Sequence, residues 1–359
     1  MSSRVRVLVV DDSALMRKLI PQILARDSDI EVVGTAMDGA FGLKKIEDLK
    51  PDVVTLDLEM PRMDGMEMLR QITKKSKLPV IIVSALSTEG ATATFKALAF
   101  GAFDFVAKPR DAASAHMDDI AQDLIVKIKA AAKSKVRSTP VPELPDGSRP
   151  TKMAVRARRE PTKIVAIGIS TGGPNALQHL LAKLPGDFPG SIIVVQHMPE
   201  GFTSMFANRL NECCAIDVKE AQSGDLLIAG RALICPGNRH IKVRRMPLGN
   251  TVILTDDPRV NGHRPSADIL FRSVANEFGS RTIGILMTGM GEDGAAGLGL
   301  IKNAGGLTIA QSEESCVVFG MPKAAIERGH ATRVVPLDML ANTLAGQCSP
   351  ERIARAVRV

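Results

Sequence analysis

Three side chains with the chemistry of an acyl-transfer site stand at the ends of apolar, strand-like runs. They are Ser170 in KIVAIGISTGGP, His197 in IIVVQHMP and Asp293 in ILMTGMGEDGA. The serine lies in a G-x-S-x-G string, Gly168 to Gly172, which fits a sharp strand-to-helix turn that presents a hydroxyl as a nucleophile. If the three strand ends share one crevice, His197 can take the serine proton, and Asp293 can fix the histidine tautomer and stabilise the imidazolium. The order Ser, His, Asp differs from the Ser, Asp, His order of α/β-hydrolases, so a different fold is implied. Plainer readings stand beside this one. The glycine loop around Ser170 could cradle a phosphate at a helix N-terminus. His197 could be a satisfied buried histidine, and Asp293 a helix N-cap or first-turn acid. The glycine-rich TGMGEDG segment could also turn backbone amides toward an oxyanion.

A second set of reactive residues lies upstream. Asp11, Asp12, Asp57, Ser84 and Lys108 each fall at the end of an apolar run, and Pro109 follows the lysine. In open α/β sheets, sites form beyond the carboxyl ends of strands. Carboxylates converging there repel one another unless a divalent cation joins them, and an all-oxygen set suits Mg²⁺. An aspartate beside such an ion can attack a phosphoryl group, because the metal offsets the incoming charge. A lysine and a serine opposite would pair with the phosphoryl oxygens.

The elements that must position these groups are legible as alternating patterns. RVRVLVV, IEVVGTA, DVVTLDL, PVIIVSA and FDFVA read as strands, with helical apolar spacing between them. Pro21 lies inside the first helical pattern and is expected to kink or shorten it. KIVAIGI, SIIVVQH, RTIGILMTG and GLTIAQ repeat the strand–helix alternation further on, which predicts a second parallel sheet. DLLIAGRALICPG and HIKVRRMPLGNTVILTDD are read as antiparallel hairpins, with PLGN as a turn. The fold class is α/β: a doubly wound N-terminal domain, then a parallel-sheet domain with a β-hairpin insert.

A length of 359 residues fits two domains. Residues 134–161 carry five prolines and seven basic side chains against three acidic ones, so a net +4 of the chain's +7 sits in one stretch. That composition reads as a tether. The expected division is 1–133, a linker over 134–161, and 162–359. Basic charge gathered in a tether, with no Trp or Tyr to stack bases, argues against a nucleic-acid-binding surface. Five cysteines with no C-x-x-C pair fit reduced thiols rather than a disulfide framework or zinc site. No apolar run is long enough to span a bilayer, and no leader is recognised, so a cytoplasmic protein without membrane insertion is expected. His240 and His263 fall in loops and are candidates to line a substrate cleft, while His179 and His330 are read as surface residues on helices.

VLVVDDS, TLDLEMPRMDG, VIIVSAL and FDFVAKP, in that order, resemble the receiver domain of bacterial response regulators over residues 4–130. The resemblance implies that Asp57 is the phospho-acceptor and that Asp11, Asp12, Asp57 and the backbone carbonyl of Glu59 hold Mg²⁺. It makes Ser84, Phe105 and Lys108 the conformational relay. The further series GISTGGP, VVQHMP, HRPSAD and LMTGMGEDGA resembles the chemotaxis protein-glutamate methylesterase and glutamine deamidase family. By that resemblance Ser170, His197 and Asp293 are the triad, Met290 offers its amide to the oxyanion, and Thr171 lies beside the nucleophile. The implied partners are the cytoplasmic helices of a methyl-accepting chemoreceptor as substrate and a histidine kinase as phosphodonor. The implied catalytic domain needs no cofactor.

Overall fold

The computed structural model describes residues 4–85, 87–108, 117–134 and 159–349. The chain divides into two compact units, Met1–Pro142 and Glu143–Val359. Of the linker expected over 134–161, residues 135–158 lie outside the described residues, as do Pro109 and His116. Among the described residues no helix is long and apolar enough to cross a membrane.

In the first unit strands and helices alternate strictly. The elements are β1 (Val5–Val10), α1 (Ala14–Leu24), β2 (Ile30–Ala36), α2 (Gly39–Leu49), β3 (Val53–Leu56), α3 (Gly65–Lys75), β4 (Val80–Ser84), α4 (Thr88–Ala99), β5 (Asp104–Ala107) and α5 (Met117–Lys133). The strands form one parallel sheet in the order β2-β1-β3-β4-β5. Every residue of β3, β4 and β5 is buried, as expected of strands covered on both faces. Side chains of Ser13, Asp38, Asp64 and Ser87 accept amide hydrogen bonds at the starts of α1 to α4, which fixes where each strand–helix loop turns. α1 runs on through Pro21 to Leu24, so the proline does not end it.

The second unit contains β6 (Ile164–Ile169), α6 (Gly173–Ala182), β7 (Ser191–Gln196), α7 (Phe202–Cys213), β8 (Asp217–Glu220), β9 (Arg231–Ile234), β10 (His240–Arg244) and β11 (Thr251–Thr255). It continues with α8 (Ala267–Phe278), β12 (Thr282–Leu286), α9 (Ala295–Asn303), β13 (Leu307–Gln311), α10 (Met321–Glu327), β14 (Arg333–Val335) and α11 (Leu337–Cys348). Its main sheet is parallel, in the order β14-β13-β12-β6-β7-β9-β8. β6 is central. The chain adds β7, β8 and β9 on one side and β12, β13 and β14 on the other, so the direction of strand addition reverses beside β6. That is where a parallel α/β sheet opens a crevice.

The hairpin reading of DLLIAGRALICPG is corrected by this sheet. Arg231–Ile234 is β9, and it lies parallel between β7 and β8. Ala232, Leu233 and Ile234 are fully buried, so this segment belongs to the core and not to a half-exposed hairpin. β10 and β11 do pair antiparallel, from His240 opposite Thr255 to Arg244 opposite Thr251. Gly249, at φ 133°, serves the turn between them. β10 and α8 cover a core that includes Ile241, Val243, Phe271 and Val274. All five cysteines are buried, and none of them forms a disulfide.

Candidate active site

Ser170 follows β6 directly and α6 begins at Gly173, so the serine sits on a strand–turn–helix elbow. The turn is tight: the Gly173 amide donates to the Ser170 carbonyl at 2.7 Å. Gly172 adopts φ 73°, and a Cβ there would meet the Val317 side chain at 2.5 Å. Both facts call for glycine. The floor under the serine is Gly289, where a Cβ would come within 2.7 Å of Ser170 Cβ and 2.5 Å of Met321 Sδ. The Ser170 amide donates to Thr288 on one side at 3.0 Å, and His197 donates its amide to Ile169 on the other at 3.0 Å. Ser170 and His197 therefore end neighbouring strands side by side, and the Ser170 amide meets the backbone just past β12. Gln196 braces the pair, since its Nε2 donates to the carbonyls of Ser170 at 3.0 Å and His197 at 3.1 Å.

His197 Nε2 lies 2.9 Å from Asp293 Oδ2. Asp293 is buried at the N-terminus of α8, where it accepts from the Ala267 amide at 2.6 Å and the Ser266 hydroxyl at 2.6 Å. Burial alone would raise this carboxyl. The His197 contact, with the Ser266 and Ala267 hydrogen bonds, overcomes it and holds the group at about 2. An ionised carboxylate only accepts, so the hydrogen it faces is on His197 Nε2. In a neutral imidazole the lone pair is then on Nδ1, which is buried and has no hydrogen-bond partner among the described residues, the Ser170 hydroxyl included. Catalytic hydrogen bonds of this kind commonly close only around substrate.

Residues weighed lightly or not at all from sequence complete the surroundings. His263 stacks on His197, with ring centroids 3.9 Å apart and planes 7° from parallel. Burial, then the neighbouring His197, push His263 down to about 4. His240 is fully buried below; its Nδ1 accepts the Ser266 amide at 3.2 Å, and its Nε2 lies 3.1 Å from the Pro258 carbonyl. Asn261 donates to Asp268 at 2.8 Å and lies 3.4 Å from Asp293. His179 and His330 stand apart from this set, against Asp338 and the Ala295 carbonyl respectively. His179 lies on α6 as read, but His330 follows α10 instead of lying on a helix.

Thr171 is buried beside Ser170, and Met290 is 39% exposed just past Gly289. Among the described residues neither the Thr171 nor the Met290 amide donates a hydrogen bond, whereas Gly289 is committed to Val318.

The carboxyl ends of the first sheet hold the second set. Lys108 Nζ is 2.6 Å from Asp57 Oδ2 and 3.1 Å from Asp11 Oδ2. Burial would lower the lysine, but its hydrogen bond and charge contact with Asp57, helped by Asp11, raise it. Burial raises Asp11, and Lys108 only partly offsets this. One oxygen from each of Asp11, Asp12 and Asp57 can fall within 4.8 Å of the others, a spacing that could hold a metal ion. Asp11 Oδ2 is buried and faces the Lys108 ammonium, so a positive charge already stands beside the oxygen that a metal ion would use. The Glu59 amide donates to Asp57 Oδ1 at 3.3 Å. Ser84 is buried with its hydroxyl on the Gly90 carbonyl at 3.1 Å. Phe105 points inward, edge-on to Phe95 with centroids 6.1 Å apart. Behind it is a residue the sequence did not single out: Lys127, buried on α5, donates to the Phe105 carbonyl at 2.7 Å and to Asp123 at 3.0 Å.

A family model described as CheB methylesterase matches residues 165–344, and one for the response regulator receiver domain matches residues 7–117. The chain is 63% identical over 355 residues to the protein-glutamate methylesterase/protein-glutamine glutaminase 2 of Koribacter versatilis, covering 98% of both chains. It is 46% identical over 347 residues to the corresponding protein 1 of Geobacter metallireducens, covering 95% of both. Among solved structures, the catalytic domain of Thermotoga maritima CheB methylesterase matches with a TM-score of 0.51 at 40% identity, over 52% of this chain and 100% of that one. The chain therefore belongs to the CheB family of protein-glutamate methylesterases/protein-glutamine glutaminases, carboxylic ester hydrolases that here carry a receiver domain.

Proposed function

We propose that this chain hydrolyses γ-glutamyl methyl esters, and deamidates certain glutamines, on the cytoplasmic helices of chemoreceptors, through Ser170, His197 and Asp293. One observation carries the reading: His197 is bound to Asp293 through Nε2, while its buried Nδ1 stands unpartnered among the described residues, at the strand end next to Ser170. Ser170 Oγ attacks the ester carbonyl as His197 Nδ1 takes its proton. The carbonyl oxygen gains charge and is met by the amides of Thr171 and Met290. His197 returns the proton to the departing methanol. Water, deprotonated by the same nitrogen, then resolves the glutamyl-enzyme. Asp293 keeps its negative charge throughout and stabilises the imidazolium. An amide passes through the same tetrahedral state, but its nitrogen leaves less readily than methanol.

The receiver domain supplies the switch. Asp57 accepts a phosphoryl group from a histidine kinase. Asp11, Asp12, Asp57 and the Glu59 carbonyl would hold Mg²⁺, which when bound offsets charge at the phosphoryl oxygens. Lys108 then exchanges a carboxylate partner for a phosphoryl oxygen, and Ser84 and Phe105 relay the change. Phosphorylation favours the active state of the catalytic domain by a differential free energy. The domains are residues 1–133 and 162–359, joined by the basic, proline-rich stretch between them.

A serine-directed phosphonate probe tests the nucleophile. Intact mass should show one adduct on the wild type, mapped to Ser170, none on Ser170→Ala, and slow labelling of His197→Ala. An adduct elsewhere that leaves methanol release blocked would overturn the assignment.

A further inference from the structure

Val260, Asn261, Gly262 and His263 form a two-residue turn closed at both ends. The Val260 amide donates to the His263 carbonyl at 3.0 Å, and the His263 amide to the Val260 carbonyl at 2.9 Å. Asn261 has φ 53° and Gly262 φ 78°, so both central residues are left-handed. Asn-Gly is the pair best suited to such a turn, which is rigid because its loop is the shortest a hairpin allows. Its two side chains with polar nitrogen face the reacting groups. Asn261 Nδ2 reaches Asp268 at 2.8 Å and Asp293 at 3.4 Å. His263 lays its ring flat on His197.

The contact with Asp293 holds His197 at one vertex, Nε2. A single hydrogen bond leaves the ring free to rock about its χ2 axis, since terminal sp³–sp² torsions have broad wells. Rocking would swing Nδ1 away from the serine. We propose that the Asn261-Gly262 turn is a clamp on the base, with His263 as a positioning residue whose flat face fixes the plane of the His197 ring. This rests on the reading of His197 as the base. The role asks for a flat ring and not for a second proton carrier. His263 is kept neutral by burial and by His197 itself, which suits a ring that must not repel the imidazolium formed during turnover.

The test measures kcat and KM for methanol release from a γ-glutamyl methyl ester peptide, with the full chain, for wild type, His263→Ala, His263→Phe and His197→Ala. Clamp loss in His263→Ala should cut kcat by about a hundredfold, the scale of a misplaced catalytic group, with KM within about twofold. His263→Phe should recover most of kcat, because it restores the flat stack without a titrating nitrogen. Thermal melts accompany each variant, and the Phe recovery separates positioning from lost folding. His263→Ala at wild-type kcat, with His197→Ala inactive, would overturn the clamp alone. Inactive His263→Phe in a folded protein would overturn it too, by showing that a ring nitrogen is needed. His197→Ala at wild-type rate would overturn both the clamp and the base it acts on.

Discussion

Asp268 and Asp293 each cap the other's helix. Asp293, just ahead of α9, accepts the Ala267 amide at the start of α8 at 2.6 Å. Asp268, in the first turn of α8, accepts the Gly297 amide in the first turn of α9 at 2.6 Å. Carboxylates at helix N-termini are favoured by the unpaired amides and the helix dipole. Crossing the two caps locks two helices to one another and places Asp293 where it meets His197. Burial raises Asp268, and the charge of Asp293 adds to that. The caps divide the labour: one carboxylate stays firmly ionised for the histidine, and the other braces it.

Replacing the brace should loosen the acid. Asp268→Ala removes the acceptor for Gly297 and should cost about 1 kcal/mol of stability, as loss of a capping side chain does. It should also lower kcat about tenfold, or about 1.4 kcal/mol of barrier. Asp268→Asn keeps an acceptor oxygen and should be milder in both. Urea unfolding and kcat measured side by side check the pairing; equal effects of the two substitutions would contradict it.

Acid stability should report His263. Its folded value is depressed to about 4 from an ordinary 6.5, so between those limits the unfolded chain binds a proton that the native state refuses. Unfolding free energy therefore falls as pH drops from 6.5 to 4, and the contribution is fully present only above 6.5. His263→Phe should flatten this part of the curve. Melting temperatures across that range, wild type against variant, measure the difference; identical slopes would contradict the shift.

Gly289→Ala should damage the elbow without replacing a reacting residue. The added Cβ would lie 2.7 Å from Ser170 Cβ, 3.1 Å from the Ser170 amide nitrogen and 2.5 Å from Met321 Sδ. The thioether can yield, but the Ser170 backbone can do so only by moving the nucleophile. Overpacking of this kind costs about 1–3 kcal/mol. A fall in kcat larger than the change in stability implies is the expected signature, read from ester turnover and denaturant unfolding together.

How much of this was legible beforehand follows burial. Strands covered on both faces, such as Ile164–Ile169 and Ser191–Gln196, read as unbroken apolar runs, and with them came the positions of Ser170 and His197. β8, sequence DVKE, escaped notice because it is a short edge strand with one buried residue. β9 was misread because the IAG and CPG segments flanking it resemble hairpin turns. Ser170 and His197 directly follow β6 and β7, where sequence spacing points, and Asp293 lies in the loop between β12 and α9. Asp268, Asn261 and the stack of His263 depend on how α8 meets α9, a tertiary contact that no local pattern encodes. The Asn261-Gly262 dipeptide was the available signal for that turn. Lys127 lay hidden for a related reason: on a helix with the pattern IVKIK, nothing local says that the lysine turns inward toward Asp104 and Asp123.

The acidic pocket of the receiver should bind Mg²⁺ through Asp11. A ligand that binds only the native state raises its stability by mass action. Added Mg²⁺ should raise the Tm of the first unfolding step in the wild type and not in Asp11→Ala. A shift retained in that variant would place the ion elsewhere.

Methanol release from a methylated chemoreceptor fragment tests the account most directly. Wild type, Ser170→Ala and Asp57→Asn are compared with and without acetyl phosphate and Mg²⁺. The expected result is release by the wild type that rises with phosphodonor, release by Asp57→Asn that does not rise, and none above background from Ser170→Ala. Release by Ser170→Ala near the wild-type rate would contradict the nucleophile, and stimulation that persists in Asp57→Asn would contradict the switch.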